Sequence, residues 1–198
     1  MLLGIDCSAG AAAIALIGQS RIVERQRDMG RGHEGLLLGL IEDAAQEMQR
    51  PLTDLSAIGV GTGPGSFTGI RISVAASRGL GLALGIPVAG IDRFEALATT
   101  AQDGQPGAPV TVSLTTGRGA TFSQSFEPGG TAVAPPQPAV GRDLGVIVNG
   151  RLAEHPTPSA ALIARLAGRG CGTRPAAPLY LAPPDAVLPE TQAPVLLD

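Results

Sequence analysis

The eleven residues from Gly59 to Gly69, Gly-Val-Gly-Thr-Gly-Pro-Gly-Ser-Phe-Thr-Gly, include five glycines. They follow the apolar run Leu55–Val60, which reads as a strand, and precede a helical pattern from about Ile70. A strand, a glycine-rich loop and then a helix bring bare backbone N–H groups and a helix N-terminus up to a ligand or a partner. A P-loop needs a lysine after its last glycine. This chain has no lysine, its 14 basic residues all being arginine, so that reading is excluded. A dinucleotide fingerprint needs three spaced glycines; Gly61 and Gly63 fit, but Ser66 fills the third place. The other reading is a tight loop whose glycines supply positive φ, with Thr68 or Ser66 capping the next helix.

Composition narrows the partners. The chain has 198 residues, enough for one large domain or two small ones, and its 44% hydrophobic and 16% charged residues are those of a globular protein. Net charge is −3, aromatics are 3%, and there is no tryptophan. Nucleic-acid backbones need clustered basic charge and single strands need stacking platforms. The chain is poor in both, so any RNA in its pathway is expected to be held by another subunit. Cys7 and Cys171 form no CxxC pair and read as buried thiols of a reducing compartment. The first residues lack a basic n-region and no apolar run reaches about 18 residues. A cytoplasmic protein without a membrane segment is expected.

The pattern of elements points to an α/β protein. Leu2–Asp6, Ala12–Ile17 and Arg21–Asp28 read as an antiparallel meander. His33–Gln49 reads as a helix ended by Pro51, Ser56–Gly61 as a buried strand, and Ile70–Leu84 as a second helix. Val88–Ile91 is a strand, and Asp92 caps a third helix through about Ala101, giving the order βββαβαβα. The Gly/Pro/Gln stretch Asp103–Pro109 marks a boundary, with a first lobe over residues 1–102 and a shorter second lobe over 103–198. Beyond it, Val110–Leu114 and Ala120–Phe126 suggest a hairpin, Glu127–Pro138 a loop, Leu144–Val148 a strand and Ser159–Ala167 a helix. From Gly168 onward a Pro/Ala-rich tail is expected to lie on the surface or remain disordered.

Two helices carry more apolar or small surface than one buried stripe uses. Leu36, Leu37 and Leu38 are consecutive and point in three directions about 100° apart. With Leu40, Ile41 and Ala44 they make the first helix apolar over more than one face. The second helix carries Ser73, Ala75, Ala76, Ser77, Gly79 and Gly81. Each glycine there costs up to about 1 kcal/mol in helix propensity, which makes sense where another backbone comes very close. Either the two helices pack only on the sheet and each other, or they also meet another subunit. In the second case Leu37, Leu40, Ile41, Ala44, Ala75, Ala76 and Gly79 are the contact residues.

Several motifs in order and spacing resemble one family. They are Gly61-Thr62-Gly63-Pro64-Gly65-Ser66-Phe67-Thr68-Gly69-Ile70-Arg71, Gly79 to Pro87, Phe94-Glu95-Ala96-Leu97-Ala98, Ile5-Asp6-Cys7-Ser8 and Gly32-His33-Glu34. Pro178-Leu179-Tyr180-Leu181 and Pro184-Asp185-Ala186 resemble its closing segment, with Ala182 where an arginine is usual. Over the first half of the chain the sequence is similar to the bacterial TsaB (YeaZ) family. The resemblance implies an actin-like ATPase fold of two ribonuclease-H-like α/β lobes, the second reduced here. It implies a non-catalytic partner of a TsaD-like subunit, working with a TsaE-like ATPase to place threonylcarbamoyl on N6 of adenosine 37 in tRNAs reading ANN codons. The partner face implied is the pair of N-terminal helices, tRNA is met only through the complex, and a homodimer can form without the partner.

The chemistry-bearing residues carry readings of their own. Asp6 stands where actin-like ATPases place a metal-associated acid, but a turn-forming aspartate would sit there equally well. Asp6, Ser8, Gly63, Gly65 and Ser66 are the candidate nucleotide-binding residues. The family's Asp-Ala-Arg-like turn falls near Thr115-Thr116-Gly117-Arg118 without its aspartate, which argues against nucleotide hydrolysis. His33-Glu34 is followed by Gly35-Leu36-Leu37, so neither HxxxH nor HExxH is present, and Gly65-Ser66-Phe67 is not G-x-S-x-G. No catalytic residue, metal site or cofactor is therefore expected. The competing class is an active actin-like phosphotransferase or hydrolase.

Overall fold

The computed structural model describes residues 1–28, 35–116, 119–139, 145–148, 151–153, 158–170 and 174–181. Three strands open the chain: β1 (Leu2–Asp6), β2 (Ala11–Ile17) and β3 (Ile22–Asp28), paired antiparallel as the meander predicts. Helix α1 (Leu36–Met48), β4 (Ala57–Gly61), α2 (Phe67–Leu84), β5 (Val88–Ile91) and α3 (Arg93–Gly104) follow. β4 runs parallel to β1 and β5 parallel to β4, as expected where helices supply the crossovers.

β1 shows why this sheet takes helices on both faces. Its side chains alternate, so Leu3 and Ile5 join Leu37, Leu40, Ile41 and Ala44 of α1 in one core. On the other face Gly4 leaves room for α4 (Ala160–Gly168): a Cβ at Gly4 would overlap the carbonyl oxygen of Ala160, and one at Gly59 would come within 2.5 Å of that of Ile163. Gly4 of β1 and Gly59 of β4 thus serve a close helix–sheet approach.

The second sheet holds β6 (Val110–Thr115), β7 (Thr121–Phe126), β8 (Gln137–Pro138), β9 (Gly145–Val148) and β10 (Arg151–Ala153), in the order β10-β9-β6-β7-β8. Phe94, Leu97 and Ala98 of α3 close its core against Val110, Val112, Leu114, Phe122, Val146 and Val148. Along the alternate positions of the β6–β7 hairpin, hydroxyls pair across the strands: Thr111 with Ser125, Ser113 with Ser123, and Thr115 with Thr121.

The structure refines four expectations. α2 starts at Phe67, three residues before Ile70, because Gly69 lets its first turn lie against the carbonyl of Cys7. β10 follows β9 where the sequence pattern marks no strand, and β8 forms inside the expected loop 127–138. The helix near residue 160 packs on the first sheet, although it lies beyond the expected boundary at 102/103. The expected loose tail is corrected over residues 174–181. There β11 (Arg174–Pro175) pairs with the edge of β5, and the N–H of Leu179 donates to the carbonyl of Thr62 at 2.9 Å. Gly32, His33, Glu34, Gly117, Arg118, His155, Cys171, Ala182, Pro184, Asp185 and Ala186 lie outside the described residues.

Candidate functional site

The glycine loop is packed onto its own protein. The N–H of Ser66 donates to the carbonyl of Ser8 at 2.7 Å, and a Cβ on Gly65 would overlap that same carbonyl. Gly63 has φ +97°, and a side chain there would meet Ile70. Its carbonyl accepts the N–H of Arg93 at 2.8 Å, and the Arg93 guanidinium donates to the carbonyl of Pro64 at 3.2 Å. Ser66 caps α2, its Oγ accepting the N–H of Gly69 at 3.2 Å. Asp6, Ser8, Gly63, Gly65 and Ser66 are therefore brought together. What joins Ser8 to the loop is a set of internal contacts, with the Ser66 amide already engaged.

Asp6 is 5% exposed, and its Oδ1 accepts the N–H of Ser8 at 2.8 Å, as a turn-forming aspartate does. Burial pushes its carboxyl above the usual range, while the Ser8 hydrogen bonding and the charge of Arg93 pull the other way. Burial, with the neighbouring Asp6 charge, raises the Cys7 thiol to about 12, which makes it an inert core residue. Asp6 also lines a cavity of about 420 Å³ with Ala9, Ala13, Glu24, Gln26 and Ser159. Among the described residues no three His, Cys, Asp or Glu side chains stand close enough to hold a metal ion together.

The helix face is a different kind of surface. Leu37, Leu40, Ile41 and Ala44, expected at a partner contact, are corrected: they are 0–3% exposed and pack on the sheet. Ala76 is half-buried against the same core. Ala75 and Gly79 do face outward. With Phe67, Arg71, Arg78 and Leu82 they form one stripe along α2, the residues recurring every three or four positions. Leu82 is 86% exposed and Leu38 of the neighbouring α1 is 50% exposed. Sequence periodicity could have found this stripe, because α2 alternates a Ile70, Ser73, Val74, Ser77, Gly81 face, which is buried, with this one. In α1 the consecutive leucines gave no such guide.

At the head of that stripe is a cluster that sequence reading missed. The rings of Phe67 and Tyr180 stack with centroids 5.1 Å apart, Arg71 Nε donates to the Tyr180 hydroxyl at 2.8 Å, and the guanidinium lies 3.9 Å from the Phe67 centroid. Tyr180 lies 109 residues beyond Arg71 in sequence, so no local signal joins it to the helix.

Two sheets of this connectivity, with α1 and α2 on one face of the first and α4 on the other, define a protein of the actin-like, ribonuclease-H-like class. The family model described as "TsaD: tRNA N6-adenosine threonylcarbamoyltransferase" matches residues 20–180. The chain belongs to this family, and within it the relatives it resembles are the TsaB (YeaZ) proteins. It is 31% identical over 97 residues to the tRNA threonylcarbamoyladenosine biosynthesis protein TsaB of Escherichia coli K12, covering 49% of this chain and 42% of that protein. It is 31% identical over 98 residues to TsaB of Bacillus subtilis 168, covering 49% of this chain and 43% of that protein. The matched stretch thus spans less than half the length of these curated relatives. YeaZ from Pseudomonas aeruginosa superposes with a TM-score of 0.67 at 25% identity, over 91% of this chain and 99% of that one.

Proposed function

We propose that the chain is a non-catalytic partner subunit of the TsaD-containing complex that makes N6-threonylcarbamoyladenosine at position 37 of tRNAs reading ANN codons. The observation that carries this reading is the outward stripe of α2. Ala75 and Gly79 let another backbone approach, while Leu82 leaves a large apolar side chain in water. α2 carries glycine at exposed position 79, where an added Cβ would meet nothing within 4 Å among the described residues. A surface of this kind gains by docking. The glycine loop fits a supporting role, since the Ser66 amide and the Ser8 carbonyl are used to fix the start of α2, and the Gly63 carbonyl to fix the start of α3. The TsaD-like partner docks on α1 and α2, a TsaE-like ATPase works with the pair, and the tRNA is met through the complex. The place of action is the cytoplasm; no helix of the described residues is long and apolar enough to cross a membrane.

Mixing the purified chain with the TsaD of the same organism and following both by size-exclusion chromatography tests the reading. Co-elution, with modified tRNA formed only when both are present, is the expected result. Separate elution at micromolar concentration contradicts it. The second reading, an active phosphotransferase or hydrolase, draws on the 420 Å³ cavity beside Asp6. ATP turnover by the chain alone, abolished in Asp6→Ala, would favour it.

A further inference from the structure

Arg71 is exposed in the second turn of α2, yet its side chain is held in one place. Its Nε donates to the hydroxyl of Tyr180 at 2.8 Å and its guanidinium carbon stands 3.9 Å from the Phe67 centroid. Tyr180 is itself fixed, stacked on Phe67 and anchored one residue earlier by the hydrogen bond from Leu179 to Thr62. These contacts use one N–H and one π face. The two terminal amino groups have no protein acceptor among the described residues. A guanidinium whose Nε edge and ring face are occupied still presents a fork that matches an oxyanion with two parallel hydrogen bonds. Because its rotamer is already set, little freedom is lost when the oxyanion arrives.

The surroundings say which oxyanion. α2 contains no aspartate or glutamate, so nothing on this helix answers the charge. The stripe continues from Arg71 into Ala75, Gly79 and Leu82, an apolar surface suited to protein and not to a polyanion. An RNA backbone would need a cluster of cations, whereas the chain carries −3 overall and α2 itself adds only Arg78 to Arg71.

We infer that Arg71, oriented by Phe67 and Tyr180, is a preformed receptor for a carboxylate of the protein that docks on α2. This rests on the docking reading above and adds the chemistry of the partner's contact: an Asp or Glu side chain beside an apolar patch. Arg71 then sets specificity, and Tyr180 is the positioning residue. Tyr180 thereby acts on the docking contact through Arg71.

The test is a titration of the same organism's TsaD with the full chain and its variants, each paired with a thermal melt. Arg71→Met is expected to weaken binding by about 30-fold or more, the range for removing one side of a buried charge pair. Arg71→Lys should recover only part of the loss, since an ammonium lacks the fork. Tyr180→Phe should weaken binding less than Arg71→Met. If Arg71→Met lowers the melt, Arg71→Gln, which keeps an N–H for Tyr180, decides by the same criterion. Wild-type affinity in these Arg71 variants, while Leu82→Glu abolishes binding, overturns the inference and leaves docking intact. Wild-type affinity in Leu82→Glu as well removes the docking reading, and the inference with it. Loss of tRNA binding by free Arg71→Met with unchanged TsaD affinity would assign the fork to phosphate and overturn the inference.

Discussion

Asp6 shows how one buried group sets a pH dependence. Its carboxyl is held above the ordinary value of 3.8, chiefly by burial. Between that value and the folded one the native chain binds more protons than the unfolded chain, so stability falls as pH rises through this window and stays lower above it. Asp6→Asn keeps an oxygen for the Ser8 N–H and removes the ionisation. Its melting temperature should exceed that of the parent at pH 7 and lose the decline above about pH 4; a decline unchanged in the variant would mean that another group causes it. Leu37 and Leu82 make the complementary comparison. Leu37 is 2% exposed, and Leu37→Glu places a charge in the first core at a cost on the order of 4 kcal/mol. Thermal unfolding should show it clearly destabilised. Leu82→Glu, at a position 86% exposed, should melt like the parent.

At the scale of elements, α2 is built for two surfaces. Its inner face is fixed by Ile70, Val74 and Gly81, the last of which would press a Cβ against Val88. Its outer face keeps Gly79 with open space around it. Gly79→Ala should therefore stabilise the free chain by up to about 1 kcal/mol through helix propensity. It should also weaken docking, because a methyl intrudes where a backbone must approach. Denaturant unfolding and partner titration on the same sample check both signs. The first lobe's elements were legible because their signals are local: the meander, the Pro51 stop, and the Asp92 cap, whose Oδ1 accepts the Glu95 N–H at 2.8 Å. Assigning Leu37, Leu40, Ile41 and Ala44 to a partner failed because three consecutive leucines do not reveal which one points inward; Leu38 is the exposed one. The order of the closing segment is hidden from the sequence for another reason. Pro175 and Tyr180 carry no periodic pattern, and their order comes from the β5 edge and from Phe67, far away in sequence.

For the whole molecule, the acidic, lysine-free composition supports the proposal that another subunit holds the RNA. The isolated chain should bind tRNA weakly, with no submicromolar gel shift at physiological salt, since it is acidic, lacks lysine and has few stacking aromatics. The first sheet draws α4 and β11 back from the far end of the chain, so the lobe that bears α1 and α2 is completed by the C-terminal quarter. That gives the proposed docking face a built support: β1 and β4 lie between α2 and α4, and Tyr180 holds the start of α2 from outside. The most direct test is the affinity of the same organism's TsaD for Leu82→Glu, measured by titration calorimetry beside a thermal melt. If α2 is the docking face, binding is lost while the melting temperature stays that of the parent. Undiminished binding by a fully folded Leu82→Glu chain would contradict it.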